Sequence, residues 1–258
     1  MLSYELADKY IGQSILIQGE YSEHEAKVLC ALLKPGDTVL DVGANVGALS
    51  LPMARKVGGA GRLWAFEPQP YMASLCAKNM ITNGLITAMT YCAALSDEDG
   101  YTKIPDMRGV AELGLELNSG GAMIGYEDAE KTGIPAVVVP KMRLDALQLE
   151  RVDLIKMDVE GHEPEVLRGA EETIMRCRPL MWVECDRERT EELASAGLHL
   201  HGYRMRFNET PLWNLANWHG RPPEVNPWPG ITSYNWLCWP REKPAPSSEI
   251  VPGQDIGG

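Results

Sequence analysis

Short apolar runs alternate with longer amphipathic segments along the chain from residue 38 onward. Five runs have the length and the β-branched or apolar content of strands: 38–42 (TVLDV), 62–66 (RLWAF), 86–93 (ITAMTYCA), 153–158 (DLIKMD) and 180–184 (LMWVE). The segments 48–57, 71–81 and 163–177 lie between these runs and place apolar residues on one helical face. Strands that alternate with helices predict βαβ units, and therefore an α/β fold with a mostly parallel sheet.

Three stretches do not follow this alternation. Residues 1–36 predict a helical N-terminal segment with Ser22 as N-cap and Glu25 as its capping-box partner, and this segment could cover a site or contact a second subunit. Residues 105–135 are glycine-rich and too long for a simple connection, which favours a mobile loop or lid. Residues 241–258 are rich in Pro, Gly and Ser and are expected to be disordered, which leaves 37–240 as the main domain.

Composition and charge narrow the classes of protein that fit this pattern. The chain has 258 residues, of which 45% are apolar, and its formal net charge is -12 without a block of Lys or Arg, so binding to nucleic acid or to an anionic membrane is disfavoured. The six cysteines form no C-x-x-C pair, and no apolar run approaches the roughly 18 residues of a membrane span. The N-terminus lacks the basic start and apolar core of a signal peptide. We therefore expect a soluble, cytoplasmic protein.

The first strand leads into a turn with the sequence DVGANVG, residues 41–47. A dinucleotide fingerprint would need glycine at 43, 45 and 48, but Asn45 and Ala48 occupy two of these positions, and no G-K-[ST] follows as in a P-loop. The turn therefore favours a nucleoside ligand that carries no phosphate, such as S-adenosylmethionine. Glu67, at the end of the second strand, has the spacing of an acidic residue that binds ribose hydroxyls.

Five motifs in order resemble the FkbM family of S-adenosylmethionine-dependent methyltransferases. They are DVGANVG, FEP, AALSDEDG (93–100), MRLDAL (142–147) and IKMDVEGHEPEVLRGA (155–170), and residues 212–240 resemble the closing segment of one branch of the family. The resemblance covers roughly residues 36–185. It implies the Rossmann-like, doubly wound fold of class I methyltransferases and an enzyme that methylates hydroxyl groups of sugars, polyketides or other small metabolites.

The same resemblance implies which residues bind the cofactor. Asp41, Gly43, Asn45 and Gly47 would hold its methionine end, and Glu67 would accept hydrogen bonds from its ribose. Ala94 and Ser96, with Asp97 as a further candidate, would contact the adenine edge.

The fourth strand and the residues after it supply candidates for acid–base chemistry. In an extended strand, Lys156, Asp158 and Glu160 share one face, and a charged face on a buried strand requires ion pairs or a cleft. We predict Asp158 as the base that removes the proton of a hydroxyl acceptor, with Glu160 orienting it and His162 as the alternative base. Glu184 ends the fifth strand and could face the same cleft. With Asp158 and Glu160 it could bind Mg²⁺, but nothing requires a metal and none is predicted.

The acceptor is less well defined. Trp213, Trp218 and Trp228 either form a wall for a glycosyl acceptor or anchor a long loop. The expected partner is a small-molecule or glycan acceptor, and a homodimer is possible. An N-methyltransferase, a protein that binds the cofactor without turnover and a nicotinamide-dependent oxidoreductase remain as alternatives, the last disfavoured by Asn45 and Ala48.

Overall fold

The computed structural model describes residues 1–112, 118, 135–184 and 202–256 of the chain. Within these residues, eleven strands form one eight-stranded and one three-stranded sheet. In chain order they are β1 (Thr38–Val42), β2 (Arg62–Phe66), β3 (Ala88–Tyr91), β4 (Ala94–Leu95), β5 (Gly100–Pro105), β6 (Ala136–Met142), β7 (Leu154–Met157), β8 (Leu180–Glu184), β9 (Tyr203–Pro211), β10 (Thr232–Pro240) and β11 (Gln254–Ile256).

The strand order of the large sheet is β11-β9-β10-β8-β7-β1-β2-β3, and β4-β6-β5 forms the small sheet. Strands β8, β7, β1, β2 and β3 are parallel, whereas β10, β9 and β11 pair antiparallel at one side. The chain leaves β1 toward β2 and β3 and later returns on the other side of β1 as β7. The predicted doubly wound, mostly parallel sheet is therefore confirmed, and its switch point lies between β1 and β7.

Helices cover both faces of the large sheet. The described helices are α1 (Ile11–Gln18), α2 (Glu23–Leu32), α3 (Ser50–Val57), α4 (Pro70–Thr82), α5 (Met107–Glu112), α6 (Glu163–Gly169) and α7 (Glu171–Cys177), with 3-10 turns at Leu144–Leu147 and Pro223–Val225. One apolar cluster joins Leu40 and Ile155 to Val166 of α6, and another joins Val39 and Leu154 to Met53 of α3. No helix in these described segments is long and apolar enough to cross a membrane.

Two local structures differ from the sequence prediction because of tertiary contacts. The predicted helix 163–177 is divided at Ala170, and the Asp145 carboxylate accepts the backbone N–H groups of Glu172 and Thr173 at 3.0 and 2.8 Å, which caps the second helix. Ser22 is the N-cap of α2, as predicted, but its hydroxyl donates to the Glu25 carboxylate (2.8 Å) and accepts no hydrogen bond from the helix backbone.

The C-terminal segment also differs from its prediction. Residues 241–258 were expected to be disordered, but β11 pairs with β9 and Val251 is fully buried. The guanidinium of Arg206 donates to the carbonyl oxygens of Pro246 (2.9 Å) and Val251 (3.2 Å). These contacts replace water around the tail's backbone, which a composition-based prediction of disorder does not consider. Most of the predicted lid 105–135 lies outside the described residues.

Candidate functional site

A cleft with a volume of about 340 Å³ opens at the carboxyl ends of the central parallel strands. Its floor is formed by four parts of the chain: the turn after β1, the end of β2, the residues directly after β7 and the last residue of β8. The N-terminal segment and the ends of β9 and β10 form the opposite wall, through Tyr10, Ile11, Tyr21, Leu212, Ile231 and Ser233. Ligands of open α/β sheets bind at this position, because helix and strand ends converge there without closing the crevice.

The glycines after β1 are required by protein packing. Gly43 has a φ of +81°, and a Cβ at this residue would lie 1.8 Å from the carbonyl oxygen of Asp158, which directly follows the neighbouring strand β7. A Cβ at Gly47, also at +81°, would lie 2.9 Å from Cys76 Sγ and from Met80 Cε of α4. These glycines therefore let β7 and α4 approach the turn closely, a reason that the ligand-based interpretation of the motif did not include.

The backbone N–H groups of this turn are all used within the protein. Those of Gly43 and Ala44 donate to the carbonyl oxygen of Phe66 (2.9 and 3.1 Å), and that of Gly47 donates to Ala44 (2.8 Å). The next contacts involve side chains: Asn45 N–H donates to Glu67 Oε2 (2.7 Å), and Val46 N–H donates to Asn45 Oδ1 (2.8 Å). Dinucleotide and P-loop turns bind phosphate through free N–H groups, so this turn does not suit a pyrophosphate.

Glu67 supplies the carboxylate expected for a ribose. It lines the cleft and is only 3% exposed, and its two oxygens accept the N–H groups of Asn45 (2.7 Å) and Gln69 (2.8 Å). Burial raises the pKa of Glu67 to about 7, although these two hydrogen bonds oppose the shift. Each carboxylate oxygen retains a lone pair for a further donor, so the group can still receive hydroxyl hydrogen bonds.

We predict that binding of S-adenosylhomocysteine tightens as the pH rises toward 7 and levels off above it. Ribose hydroxyls donate to the ionised carboxylate, so binding favours loss of the proton that Glu67 holds below its raised pKa of about 7. At pH values below that pKa, each rise of one pH unit should lower the dissociation constant by up to about tenfold. Calorimetry from pH 5.5 to 7.5 should show this slope in the wild type and in Glu98→Gln, and a slope that persists in Glu67→Gln would contradict it.

Asp41 does not line the cleft, in contrast to its predicted contact with the cofactor. Its side chain is fully buried, accepts a hydrogen bond from the Ser50 hydroxyl and lies 3.5 Å from Lys156 Nζ. Asp41 therefore holds Lys156 and the start of α3 beneath the turn. Gly43 and Asn45 line the cleft, whereas Gly47 packs on α4.

Of the residues predicted to contact adenine, one lines the cleft and two do not. Ala94 lines the cleft together with Ala93 and Leu95, which provide an apolar surface for a base. Ser96 is buried outside the cleft lining, where its hydroxyl lies 3.1 Å from His162 Nε2, and Asp97 forms an ion pair with Arg168 (3.3 Å).

Lys156 of β7, Asp158 directly after β7 and Glu184 at the end of β8 lie together near the switch point. Lys156 Nζ is 3.4 Å from Asp158 Oδ2 and donates to the Gly43 carbonyl oxygen at 3.3 Å. Burial opposes ionisation of Asp158, but the Lys156 ammonium and a hydrogen bond with Glu184 together outweigh it and hold the pKa of Asp158 below its ordinary value. Burial would lower the pKa of Lys156, but Asp158 and Asp41 raise it. Asp158 is therefore an ionised carboxylate at neutral pH that faces the cleft.

Glu160 lies at the rim of the same cleft, in a strained turn. It is exposed and has a φ of +53°, which costs roughly 1–2 kcal/mol for a residue other than glycine, and Gly161 follows at +96°. The Glu163 carboxylate supports the turn by accepting the N–H groups of Val159 (3.2 Å) and Gly161 (3.1 Å). The orienting role of Glu160 stays a prediction.

His162, the alternative base, does not line the cleft. Its Nε2 lies 3.1 Å from Ser96 Oγ, and its Nδ1 lies 3.6 Å from a carboxylate oxygen of Glu165. Burial lowers the pKa of His162, and Glu165 counteracts this shift. Of the two predicted bases, only Asp158 faces the cleft.

Asp158, Glu160 and Glu184 also form a group of acidic side chains with carboxylate oxygens within 4.8 Å of one another. Oxygen ligands suit a hard cation, but exposed acidic groups of this kind are common without one. The Lys156 ammonium already neutralises Asp158 from the other side. We do not assign a cation to this group.

The tryptophans that were candidates for an acceptor wall lie elsewhere. Trp213 and Trp228 are 7% exposed, and Trp218 is 75% exposed, but none of the three lines the cleft. The wall is instead formed by Tyr10, Tyr21 and the ends of β9 and β10, including Thr210, which the sequence analysis did not identify. An apolar or hydroxylated residue at a strand end carries no local signal that marks it as part of a site.

Comparisons with known proteins identify the family of the chain. A family model described as "Methyltransferase FkbM domain" matches residues 41–206. Methyltransferase sdnD of Sordaria araneosa is 33% identical over 52% of the chain and 60% of that protein. The 31-O-demethyl-FK506 methyltransferase FkbM of Streptomyces tacrolimicus is 28% identical over 70% of the chain and 78% of that protein.

A solved structure supports the fold. Methyltransferase FkbM from Methylobacillus flagellatus KT superimposes with a TM-score of 0.50 and 14% identity, over 78% of this chain and 43% of that one. The chain thus spans less than two thirds of Methyltransferase sdnD and of this solved protein. The predicted class I methyltransferase fold is confirmed. Because the family model covers more than half of the residues, the chain belongs to the FkbM methyltransferase family.

Proposed function

We propose that the protein is an S-adenosylmethionine-dependent O-methyltransferase that acts on a hydroxyl group of a small molecule. The observation that carries this proposal is the ionised Asp158 carboxylate, which faces the cleft directly beside the turn after β1. A relative in the same family is named for methylation at an oxygen, the 31-O-demethyl-FK506 methyltransferase. A cleft with a base beside a nucleoside site suits this chemistry.

The donor set of the cleft fits the cofactor. Glu67 offers a buried carboxylate for ribose hydroxyls, Ala94 and Leu95 offer an apolar surface for adenine, and no N–H group of the turn 43–47 is left for a phosphate. Several carboxylates face the cleft, which favours a ligand with positive charge. When bound, the cofactor supplies an activated methyl group, so the protein needs only to orient the acceptor and remove its proton.

In the proposed reaction, the acceptor hydroxyl donates its hydrogen bond to Asp158. The hydroxyl proton would move to the Asp158 carboxylate as the acceptor oxygen is methylated; the bound cofactor would supply the methyl group and leave as a neutral thioether. Lys156 keeps Asp158 ionised and fixed before this transfer. Because its pKa is low, Asp158 is ionised at neutral pH, but it is also a weaker base.

Binding and turnover experiments test the proposal. S-adenosylhomocysteine should raise the melting temperature of the protein, whereas NADH should not, because ligands that bind the folded state stabilise it. A radiolabelled methyl donor should then label members of a panel of hydroxylated small molecules, including sugars and polyketides. Stabilisation by NADH, or labelling only of amines, would contradict the proposal.

A further inference from the structure

A directional chain of hydrogen bonds leads from β10 to Glu184. The Asn235 amide Nδ2 donates to the hydroxyl oxygen of Ser233 at 2.8 Å, and the Ser233 hydroxyl donates to Glu184 Oε1 at 2.9 Å. Asn235 is 1% exposed and is the cross-strand partner of Glu184 in the sheet. The Ser233 hydroxyl thus accepts from the amide and donates its own proton to Glu184, so Oε1 acts as an acceptor.

On its other side, a carboxylate oxygen of Glu184 lies within 4.8 Å of a carboxylate oxygen of Asp158, and a hydrogen bond between the two groups contributes to the pKa shifts of both. Two carboxyl groups can form such a bond only if one of them carries a proton. Lys156 Nζ lies 3.4 Å from Asp158 Oδ2 and favours the ionised form of that partner, which assigns the proton to Glu184. The chain therefore runs in one direction, from the amide through the hydroxyl and the carboxylic acid to the Asp158 carboxylate.

We infer that Glu184 acts as a neutral carboxylic acid that positions Asp158, a role that rests on the proposed function of Asp158 as the base. The donated hydrogen bond fixes the Asp158 side chain from β8 while Lys156 fixes it from below. A second ionised carboxylate at this position would repel Asp158 and displace it from the acceptor.

The surroundings of Glu184 support its neutral form. Burial raises the pKa of Glu184 well above its ordinary value, and three nearby carboxylates raise it further: Asp158, Glu25 and Glu160. They approach from three elements, the residues after β7, the helix α2 and the rim turn. Tyr21, a titratable group on the opposite wall of the cleft, has a raised pKa because of burial and of nearby acidic residues that include Asp158 and Glu25, so its hydroxyl keeps its proton at neutral pH.

Paired substitutions test this role through activity. Glu184→Ala removes the donor and is expected to lower kcat by about 5- to 100-fold, as for the loss of a buried hydrogen-bond partner worth about 1–3 kcal/mol. Glu184→Gln keeps a donor for Asp158 and an acceptor for Ser233, so it should recover most of this loss, with little change in the dissociation constant of S-adenosylhomocysteine. If Gln is as inactive as Ala, Glu184 acts as an ionised group or a cation ligand, and the inference is wrong.

An infrared measurement tests the protonation state without any turnover. The difference spectrum between the wild type and Glu184→Gln at neutral pH should contain the carbonyl band of a protonated carboxylic acid. The absence of that band would overturn the inference even if the protein is an active O-methyltransferase. If the band is present and no hydroxyl acceptor is ever methylated, the proposed function fails while the protonated state of Glu184 stands.

Discussion

Asp158→Asn is expected to lower kcat for a hydroxyl acceptor by about 10² to 10³-fold, the lower part of the range for general-base catalysis. We expect a rate loss in the lower part of this range because Lys156, 3.4 Å away, already reduces the basicity of the Asp158 carboxylate. An amide keeps the shape of the side chain but cannot accept the hydroxyl proton. Single-turnover rates with a radiolabelled methyl donor measure the loss.

The matched control is Asp99→Asn, which makes the same chemical change on an exposed carboxylate outside the cleft. It should leave kcat unchanged, and both variants should bind S-adenosylhomocysteine within a few-fold of the wild type. An Asp158→Asn enzyme that methylates hydroxyl acceptors at the wild-type rate would show that Asp158 is not the base. Activity that is lost only because the variant no longer binds the cofactor would assign Asp158 a binding role.

The same variant separates oxygen from nitrogen as the methyl acceptor. A neutral amine attacks without losing its proton first and therefore needs less help from a carboxylate. If the natural acceptor is a hydroxyl, Asp158→Asn should lose its methylation while any weak turnover of amines by the wild type is spared. If the wild type instead methylates amines far faster than hydroxyls and Asp158→Asn keeps that rate, the alternative of an N-methyltransferase gains support.

Gly43→Ala is expected to destabilise the fold by about 2–5 kcal/mol and to abolish cofactor binding. A left-handed φ costs a residue with a Cβ about 1–2 kcal/mol, and overpacking adds about 1–3 kcal/mol. The clash would be with the Asp158 carbonyl oxygen, 1.8 Å from the new Cβ, and this backbone is held by the pairing of β7 with β1. Thermal unfolding should show a melting temperature lower by about 4 °C or more.

Gly84→Ala separates the two contributions to that loss. Gly84 has a φ of +71°, and a Cβ there would have no atom within 4 Å, so this variant carries the conformational cost without a clash. It should lose only about 1–2 kcal/mol and keep its affinity for S-adenosylhomocysteine. Equal destabilisation of the two variants would mean that the approach of β7 to the turn is not what requires glycine at position 43.

The sequence by itself determined the elements of the main domain and the order of its functional motifs. The strands 38–42, 62–66 and 180–184 match the structure residue for residue, because apolar content and turn residues are local properties of the chain. Glu67 and Asp158, which were predicted as site residues, both line the cleft, and their roles stay predictions. A residue that directly follows a parallel strand must lie at the carboxyl edge of the sheet, wherever the rest of the chain goes.

Only the tertiary structure decided where the other side chains point. Asp41 is turned to Lys156, 115 positions later in the sequence, and His162 is turned to Ser96, so neither faces the cleft. The Ser233 hydroxyl reaches Glu184 because the antiparallel pairing of β10 with β8 brings the ends of these two strands together. Such contacts depend on which distant segments become neighbours when the sheet forms, and no local pattern of residues encodes that choice.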